Sequence, residues 1–148
     1  MKLLIKPLSD KIGTTIPLPY YATGGAAAMD LHACIDEPMT IPAGGRVVVS
    51  TGIAAAIPEG YVGIMAVRSS MGVRRGITMP NAIGVIDSDY RGPLGVALYN
   101  ITDEPYTVQP GDRIAQLLVL PVLRPELELV EELPPTERGA GGFGSTGR

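Results

Sequence analysis

The stretch "LGVALYNITDEPYTVQPGDRIAQLLVLPV", residues 94–122, places three short apolar runs around two turns. The runs "LGVALYN", "YTVQ" and "RIAQLLVLPV" contain many β-branched and aromatic residues, which favour strands. The interruptions "DEP" (103–105) and "PGD" (110–112) supply the Asp, Gly and Pro residues of tight turns. The stretch therefore predicts three strands joined by short turns.

The same pattern of short strand and turn extends over most of the chain. The runs "VVVS" (47–50) and "YVGIMAV" (61–67) predict strands, and "ELELVEE" (126–132) alternates as a half-buried strand does. No window long enough for a substantial helix escapes Gly or Pro. Many short strands with frequent turns predict an all-β sandwich or closed barrel. We predict one β-domain over residues 1–133 and a glycine-rich arm over residues 134–148.

The composition limits the classes of function. A chain of 148 residues that is 45% hydrophobic predicts one folded domain. The net charge of −3 argues against nucleic acid as a partner. One histidine and one cysteine cannot supply the four ligands of a structural zinc site, so any metal would be a hard cation held by oxygens. The most apolar run, "IAQLLVLPVL", is too short to span a bilayer, and we expect a soluble cytoplasmic protein without a membrane partner.

The densest polar stretch is "NAIGVIDSDYRGP", residues 81–93. Asp87 follows the apolar run "IGVI", which would hold its carboxylate at the end of a buried strand. Asp is also common in turns, because its side chain hydrogen-bonds the nearby backbone. This stretch alone leaves a turn and a catalytic carboxylate equally open.

A second polar stretch is "VRSSMGVRR", residues 67–75. Arg68, Ser69 and Ser70 would offer a guanidinium, two hydroxyls and backbone N–H groups in one loop. Such a loop can bind phosphate. A solvated turn is the simpler interpretation of these three residues in isolation.

Two further polar residues interrupt apolar runs. Asp30 in "AAAMDLHA" needs a partner, because burial of an unpaired charge is costly. That partner could be an arginine or a metal-bound water. Gln116 in "RIAQLLV" must likewise find hydrogen bonds, in the protein or on a ligand. His32 receives no role.

The order of the motifs is more specific than any one of them. The succession "AAAMDLHA", "VRSSMG", "GVIDSDYRG", "PGDRIAQLLV", "RGAGGFGSTG" resembles the five ordered motifs of the trimeric dUTP diphosphatases, or dUTPases. The resemblance implies a jelly-roll β-sandwich in a homotrimer whose three active sites are shared between subunits. It also implies Mg²⁺-assisted hydrolysis of dUTP to dUMP and pyrophosphate, which limits uracil in DNA and supplies dUMP for thymidylate synthesis.

The resemblance also implies roles for the residues around the triphosphate. Asp87 is similar to the acid that orients and deprotonates the water attacking the α-phosphorus. Gln116 corresponds to a glutamine near that phosphate and that water. Asp30 resembles an aspartate that contacts the metal through water, and residues 68–70 match the phosphate-binding motif.

Recognition of the nucleoside falls on the third motif. The family uses a hairpin whose asparagine, here Asn81, and whose backbone, here at Val85 and Ile86, contact the uracil. Tyr90 is similar to the tyrosine that packs under the deoxyribose and excludes a 2′-hydroxyl. Gly95 matches a further backbone contact with the nucleoside.

The C-terminal segment resembles the fifth motif, an arm that closes over bound nucleotide. Ordering five glycines among eleven residues is costly, so either a floppy terminus or an arm ordered by a ligand fits the composition alone. "GAGGFGST" lacks the lysine of a P-loop. The resemblance implies that Phe143 stacks on the uracil while Arg138, Gly144, Ser145 and Thr146 meet the phosphates.

Two alternatives follow from departures in the second motif. The family commonly has Pro-Arg-Ser-Gly-Leu, whereas residues 67–71 are Val-Arg-Ser-Ser-Met. An Arg-Ser-Ser form is typical of dCTP deaminases of the same fold, but Ala97 occupies the position of their catalytic glutamate. The other alternative is a non-catalytic nucleotide sensor on the same scaffold. Because Asp87, Tyr90, Gln116 and the arm are all present, the sequence favours the dUTPase.

Overall fold

The computed structural model describes residues 1–142 of the chain, which form eleven strands and one short helix. The elements are β1 (Leu4–Pro7), β2 (Tyr20–Tyr21), β3 (Met29–His32), β4 (Met39–Ile41), β5 (Arg46–Ala56), β6 (Tyr61–Val67), α1 (Ser69–Arg75), β7 (Ile77–Thr78), β8 (Gly84–Ile86), β9 (Pro93–Asn100), β10 (Tyr106–Val108) and β11 (Arg113–Pro121). The helix falls far short of the length and apolar character that crossing a membrane requires.

The strands form three antiparallel sheets around one apolar core. A four-stranded sheet has the order β1-β5-β9-β7, a five-stranded sheet has the order β2-β3-β11-β6-β8, and β10 pairs with β4. Alternate residues of β5 and β9, such as Val49 and Val96, meet Leu31 and Leu117 from the five-stranded sheet in the core. This confirms the all-β sandwich, and it places β3 and β11 inside a sheet and β8 at its edge.

Five of the predicted strands are confirmed, as β5, β6, β9, β10 and β11. The strand predicted over residues 126–132 is wrong for this chain. The segment is irregular, and Leu127 and Leu129 are almost fully exposed at 92% and 101%. The alternation of apolar and charged residues is real, but no described strand of the same chain pairs with this segment.

The second motif also differs from its prediction as a loop. Residues Ser69–Arg75 form α1 despite Gly72, which stands on the partly buried side of the helix. The backbone N–H groups of Met71 and Gly72 donate to the carbonyl of Arg68 at 2.9 and 3.1 Å. These amides are therefore used by the first turn, and Gly76 ends the helix in a left-handed conformation.

Candidate active site

A buried carboxylate organises the first group of predicted residues. In β3 the side chains of Met29 and Leu31 face the core, so Asp30 points to the opposite face of the sheet. Asp30 is only 5% exposed. Its Oδ1 lies 3.0 Å from Nε of Arg68, and its Oδ2 lies 3.3 Å from Nη1 of Arg113. The partner that the sequence required is thus a pair of arginines.

Gln116 lies on the same face of the sheet. It pairs with Asp30 on one side of β11 and with Ala66 on the other. Since residues directly opposite each other in adjacent strands share a face, the amide of Gln116 and the carboxylate of Asp30 are neighbours. We call Asp30, Arg68, Arg113 and Gln116 the Asp30 cluster. The predicted phosphate-binding residues Ser69 and Ser70 follow at the start of α1.

His32 adjoins the Asp30 cluster. It is buried, its ring stacks on Tyr20 with centroids 5.8 Å apart, and its Nδ1 has no hydrogen-bond partner within the described chain. Burial lowers the pKa of His32 below its ordinary value; the carboxylate of Asp30 acts in the opposite direction, and the guanidinium groups of Arg113 and Arg68 add to the lowering. His32 is therefore neutral at physiological pH.

A second group of predicted residues surrounds an open cavity of about 370 Å³ at the β8 edge of the five-stranded sheet. We call it the Tyr90 cavity. It is bounded by the edge strand β8, the turn that follows, and the start of β9. Its lining comprises Val48, Val85, Ile86, Asp87, Tyr90, Pro93, Leu94 and Gly95. The structure thus brings together five residues that the third motif predicted, at the positions 85, 86, 87, 90 and 95.

The ring of Tyr90 is fixed at the rim of this cavity. Its hydroxyl donates to the carbonyl of Pro93 at 3.0 Å. Gly92 lies directly beneath the ring, and a Cβ at that position would stand 2.4 Å from the hydroxyl oxygen and 2.6 Å from Cζ. The absence of a side chain at Gly92 therefore allows Tyr90 to close one wall of the cavity.

The surroundings of Asp87 differ from the sequence prediction. The preceding strand β8 is an edge strand rather than a buried one, and Val85 within it is 58% exposed. Asp87 itself is exposed and faces two cavities, the Tyr90 cavity and a neighbouring one of about 360 Å³. Its carboxylate is therefore available to solvent or a ligand.

Asn81 lies in the hairpin that leads into β8. It is exposed, its carbonyl accepts a hydrogen bond from the N–H of Ile83 at 2.7 Å, and it does not line the Tyr90 cavity. The next residue, Ala82, has φ +61°, a left-handed conformation that is uncommon for residues other than glycine. The hairpin is therefore tightly turned at the residue that the family motif assigns to the base.

The two groups of residues are well separated within one chain. Gln116 pairs with Ala66 of β6, whereas Ile86 pairs with Gly63 on the other edge of β6. Two strand spacings and three residues along the strand place the Cα atoms of Gln116 and Ile86 about 14 Å apart, and Asp87 lies beyond Ile86. One chain does not bring Asp87 and Gln116 to the same water molecule.

Three of the positions around the two groups were absent from the sequence prediction. Val48 lines the Tyr90 cavity, Gly92 supports its ring, and Arg113 completes the Asp30 cluster. Arg113 stands in the fourth motif, but it is three residues before Gln116, and regular strand alternation predicts that the two side chains point to opposite faces. Val48 and Gly92 contribute only to the shape of the cavity, and no local sequence pattern distinguishes them from other strand and turn residues.

The remaining site predictions concern the arm and the rival activity. Arg138 is exposed, and its Nε donates to the carbonyl of Gly141 at 2.7 Å, within the arm itself. Phe143, Gly144, Ser145 and Thr146 lie outside the described residues. Ala97 lies in the middle of β9, where it offers no group able to transfer a proton.

The resemblance implies a Mg²⁺ ion, so we asked whether the residues of the two groups could hold one. Over residues 1–142, no three His, Cys, Asp or Glu side chains come together as a metal site. Both oxygens of Asp30 already meet arginines, although each retains a lone pair for a water molecule. These residues fit a Mg²⁺ ion that arrives on a polyphosphate and contacts Asp30 through its hydration shell, which is the usual way Mg²⁺ binds at phosphate-handling sites.

Comparison with known proteins gives concordant matches. The family model described as dUTPase matches residues 14–147. The deoxyuridine 5'-triphosphate nucleotidohydrolase of Idiomarina loihiensis is 48% identical, over 97% of this chain and 96% of its own. The dUTPase of Staphylococcus bacteriophage 80alpha in a structure with dUpNHpp is 29% identical, with a TM-score of 0.87 over 99% of both chains. A mutant dUTPase from phage phi11 of S. aureus, studied for the coordination of a structural Mg(II) ion, is 26% identical, with a TM-score of 0.78 over 89% of this chain and 98% of its own.

Proposed function

The chain belongs to the dUTPase family, and from this premise we propose that it hydrolyses dUTP to dUMP and pyrophosphate. The observation that carries the proposal is the Tyr90 cavity, which joins an exposed carboxylate to an apolar pocket with a fixed aromatic wall. A nucleoside needs the apolar surface, and the hydrolysis of a phosphoanhydride needs a base near the attacked phosphorus.

Selectivity for a deoxyuridine follows from the shape of the Tyr90 cavity. The ring of Tyr90 is held from two sides, by the hydrogen bond to Pro93 and by its contact with Gly92. A sugar that packs on this ring has little room for a 2′-hydroxyl. The uracil would extend toward the hairpin of Asn81, and a close fit of the base against this hairpin would exclude the methyl group of thymine.

The chemical step rests on Asp87. Its carboxylate accepts a proton from a water molecule that attacks the α-phosphorus, and the pyrophosphate leaves as the oxygen bridging the α- and β-phosphates departs with the bond electrons. The amide of Gln116 holds that water and the α-phosphate in line. Arg68, Ser69 and Ser70 bind the remaining phosphate oxygens. When it is bound to the triphosphate, Mg²⁺ supplies charge neutralisation, with Asp30 as its protein contact through water.

We propose that the complete site forms in a homotrimer. Asp87 and Gln116 are too far apart in one chain to act on one water, so the Tyr90 cavity of one subunit must face the Asp30 cluster of another. The exposed segment 126–132 supports this arrangement, because its alternating apolar residues have no partner strand among the described residues of their own chain. Oligomers routinely bury such faces against a neighbouring copy.

The arm over residues 134–148 would close over the bound nucleotide and complete the active site. We propose that its Phe143 stacks on the uracil, while Arg138, Gly144, Ser145 and Thr146 contact the phosphates. Closure of a glycine-rich segment over the nucleotide excludes bulk water from the reacting phosphate. Removal of residues 138–148 would then abolish turnover and leave the β-domain folded.

The test is pyrophosphate release with Mg²⁺ from dUTP, dTTP, dCTP and UTP in parallel, with the product bases identified. Release from dUTP alone is the expected result. Uracil produced from dCTP would support a deaminase despite Ala97. Binding of dUTP without turnover of any of the four nucleotides would support a sensor and overturn the enzymatic proposal.

A further inference from the structure

The side chain of Arg113 occupies a face that a regular strand would not give it. Arg113 and Gln116 are three residues apart, and in a regular strand residues separated by an odd number point to opposite faces. The observed register removes this conflict. Gln116 pairs with Asp30, Ala115 pairs with Leu31, and Arg113 pairs with His32, so two steps along β11 match one step along β3.

The extra residue in this register is Ile114, which forms a β-bulge. Ile114 and Ala115 are both fully buried in the core. The bulge turns Arg113 onto the face that holds Asp30 and Gln116, and its guanidinium reaches Oδ2 of Asp30. Bulges recur beside functional sites because they redirect a side chain in this way.

Because of the bulge, Arg113 is a second cationic partner of Asp30. This second contact influences the orientation of the first partner, Arg68. Arg68 contacts Oδ1 of Asp30 through Nε, and its two terminal nitrogens make no hydrogen bond within the described chain. A carboxylate held at one oxygen alone can rotate, and the guanidinium bound to it would move as well. The contact from Arg113 to Oδ2 prevents that rotation, so the terminal nitrogens of Arg68 keep one direction.

We propose that Arg113 is a positioning residue, placed by the bulge at Ile114, which fixes Asp30 and thereby orients Arg68 toward the phosphates of the substrate. The inference rests on the proposed function in one respect, that the ligand of Arg68 is a phosphate chain. The two guanidinium groups and one carboxylate carry a net charge of +1, which suits an anionic ligand.

The experiment is a double-mutant cycle on nucleotide binding. Arg113→Gln and Arg113→Lys are made in the unsubstituted chain and in Arg68→Gln, and the affinity for dUpNHpp with Mg²⁺ is measured by calorimetry. Arg74→Gln serves as the matched control, because Arg74 is an exposed arginine in the last turn of α1, outside both groups of residues. Thermal unfolding of each variant shows whether the fold is retained.

If Arg113 acts through Asp30 and Arg68, Arg113→Gln should weaken binding about 10-fold in the unsubstituted chain and less than about twofold in Arg68→Gln, as expected for one ion-pair network. Arg113→Lys should recover part of the loss, and Arg74→Gln should bind as the unsubstituted protein does. Equal losses in both backgrounds would overturn the proposal, because Arg113 would then act independently of Arg68. A lowered melting temperature with unchanged affinity would overturn it too, since Arg113 would serve stability alone.

These outcomes are independent of the test of the proposed function. Hydrolysis of dUTP by the unsubstituted protein tests the enzymatic proposal, whereas the cycle measures binding of an analogue that is not hydrolysed at its α–β bridge. A protein that binds dUpNHpp without hydrolysing dUTP would fail the first test and could still pass the second.

Discussion

The Asp30 cluster and the Tyr90 cavity belong to one fold but differ in how much of their structure one chain provides. The Asp30 cluster lies on the adjacent strands β3 and β11 of the five-stranded sheet and on Arg68, which directly follows β6, and its carboxylate is buried between two guanidinium groups. The Tyr90 cavity lies beside the edge strand β8, open to solvent, and Asp87 at its rim is exposed.

The difference agrees with the roles that we propose for the two regions. Charged side chains that bind a polyphosphate work best when their orientation is fixed in advance, and central strands fix it before a ligand binds. A base that must meet a water and a nucleotide remains accessible until a second surface covers it. The following substitutions test this contrast, in order of decreasing expected effect.

Asp87→Asn should give the largest effect. The amide cannot accept the proton of the attacking water, and loss of a general base lowers turnover by about 10²–10⁴-fold. Binding of dUpNHpp should remain close to that of the unsubstituted protein, because Asp87 is exposed and does not support the fold. Steady-state rates and calorimetry measure the two quantities separately. Retained turnover would exclude Asp87 as the base.

Asp30→Asn, unlike Asp87→Asn, should weaken nucleotide binding and lower the stability of the fold. It removes the common partner of Arg68 and Arg113, so we expect weaker binding of dUTP with Mg²⁺ by about 10–100-fold, typical of an outer-shell contact. We also expect a loss of about 1–3 kcal/mol in the free energy of unfolding, because the charge-assisted hydrogen bond from Arg113 and the ion pair with Arg68 are both lost. Urea titration measures the second effect. A variant as stable as the unsubstituted chain would contradict the structural role of the cluster.

Gly92→Ala should affect the Tyr90 cavity alone. The new methyl group would collide with the hydroxyl end of the exposed Tyr90 ring, which would have to move and give up its hydrogen bond to Pro93. We expect the KM for dUTP to rise about tenfold and the preference for dUTP over UTP to fall. Gly24→Ala is the matched control, because a methyl group there meets nothing within 4 Å. An unchanged preference would show that Tyr90 does not select the sugar.

The smallest expected effect is a pH dependence of stability that arises from His32. Burial lowers its pKa in the folded state, so below the ordinary value of 6.5 the unfolded chain binds a proton that the folded chain does not. Stability should therefore fall as the pH decreases from about 6.5 toward the lowered pKa. His32→Gln should remove this part of the dependence, as measured by urea titration between pH 5 and 8. The same slope in both proteins would contradict the assignment to His32.

The fold could be predicted because its determinants are local. Each run such as 61–67 carries its own strand propensity, and each Gly-Pro-Asp turn carries its own backbone preference. The segment 126–132 shows the limit of this reasoning. Its alternation is a genuine strand pattern, but pairing depends on a neighbour, and a single sequence does not say whether that neighbour belongs to the same chain.

The candidate site was predicted in part for similar reasons. Motif order identified residues around the Tyr90 cavity and most of the Asp30 cluster. Arg113 was missed because regular alternation places it on the opposite face from Gln116, and the bulge at Ile114 arises from pairing with β3 rather than from the sequence around it. The helix at Ser69 was missed because Gly72 lowers helix propensity, which tertiary packing overrides.

The separation of Asp87 from Gln116 has a genetic consequence. In the proposed homotrimer, two defective alleles, one with Asp30→Asn and one with Asp87→Asn, would complement each other when coexpressed, because a mixed trimer would join an intact Asp30 cluster to an intact Tyr90 cavity. With random assembly of equal amounts, about a quarter of the shared sites would contain both intact halves. A gene whose product kept both halves in one chain would show no such rescue.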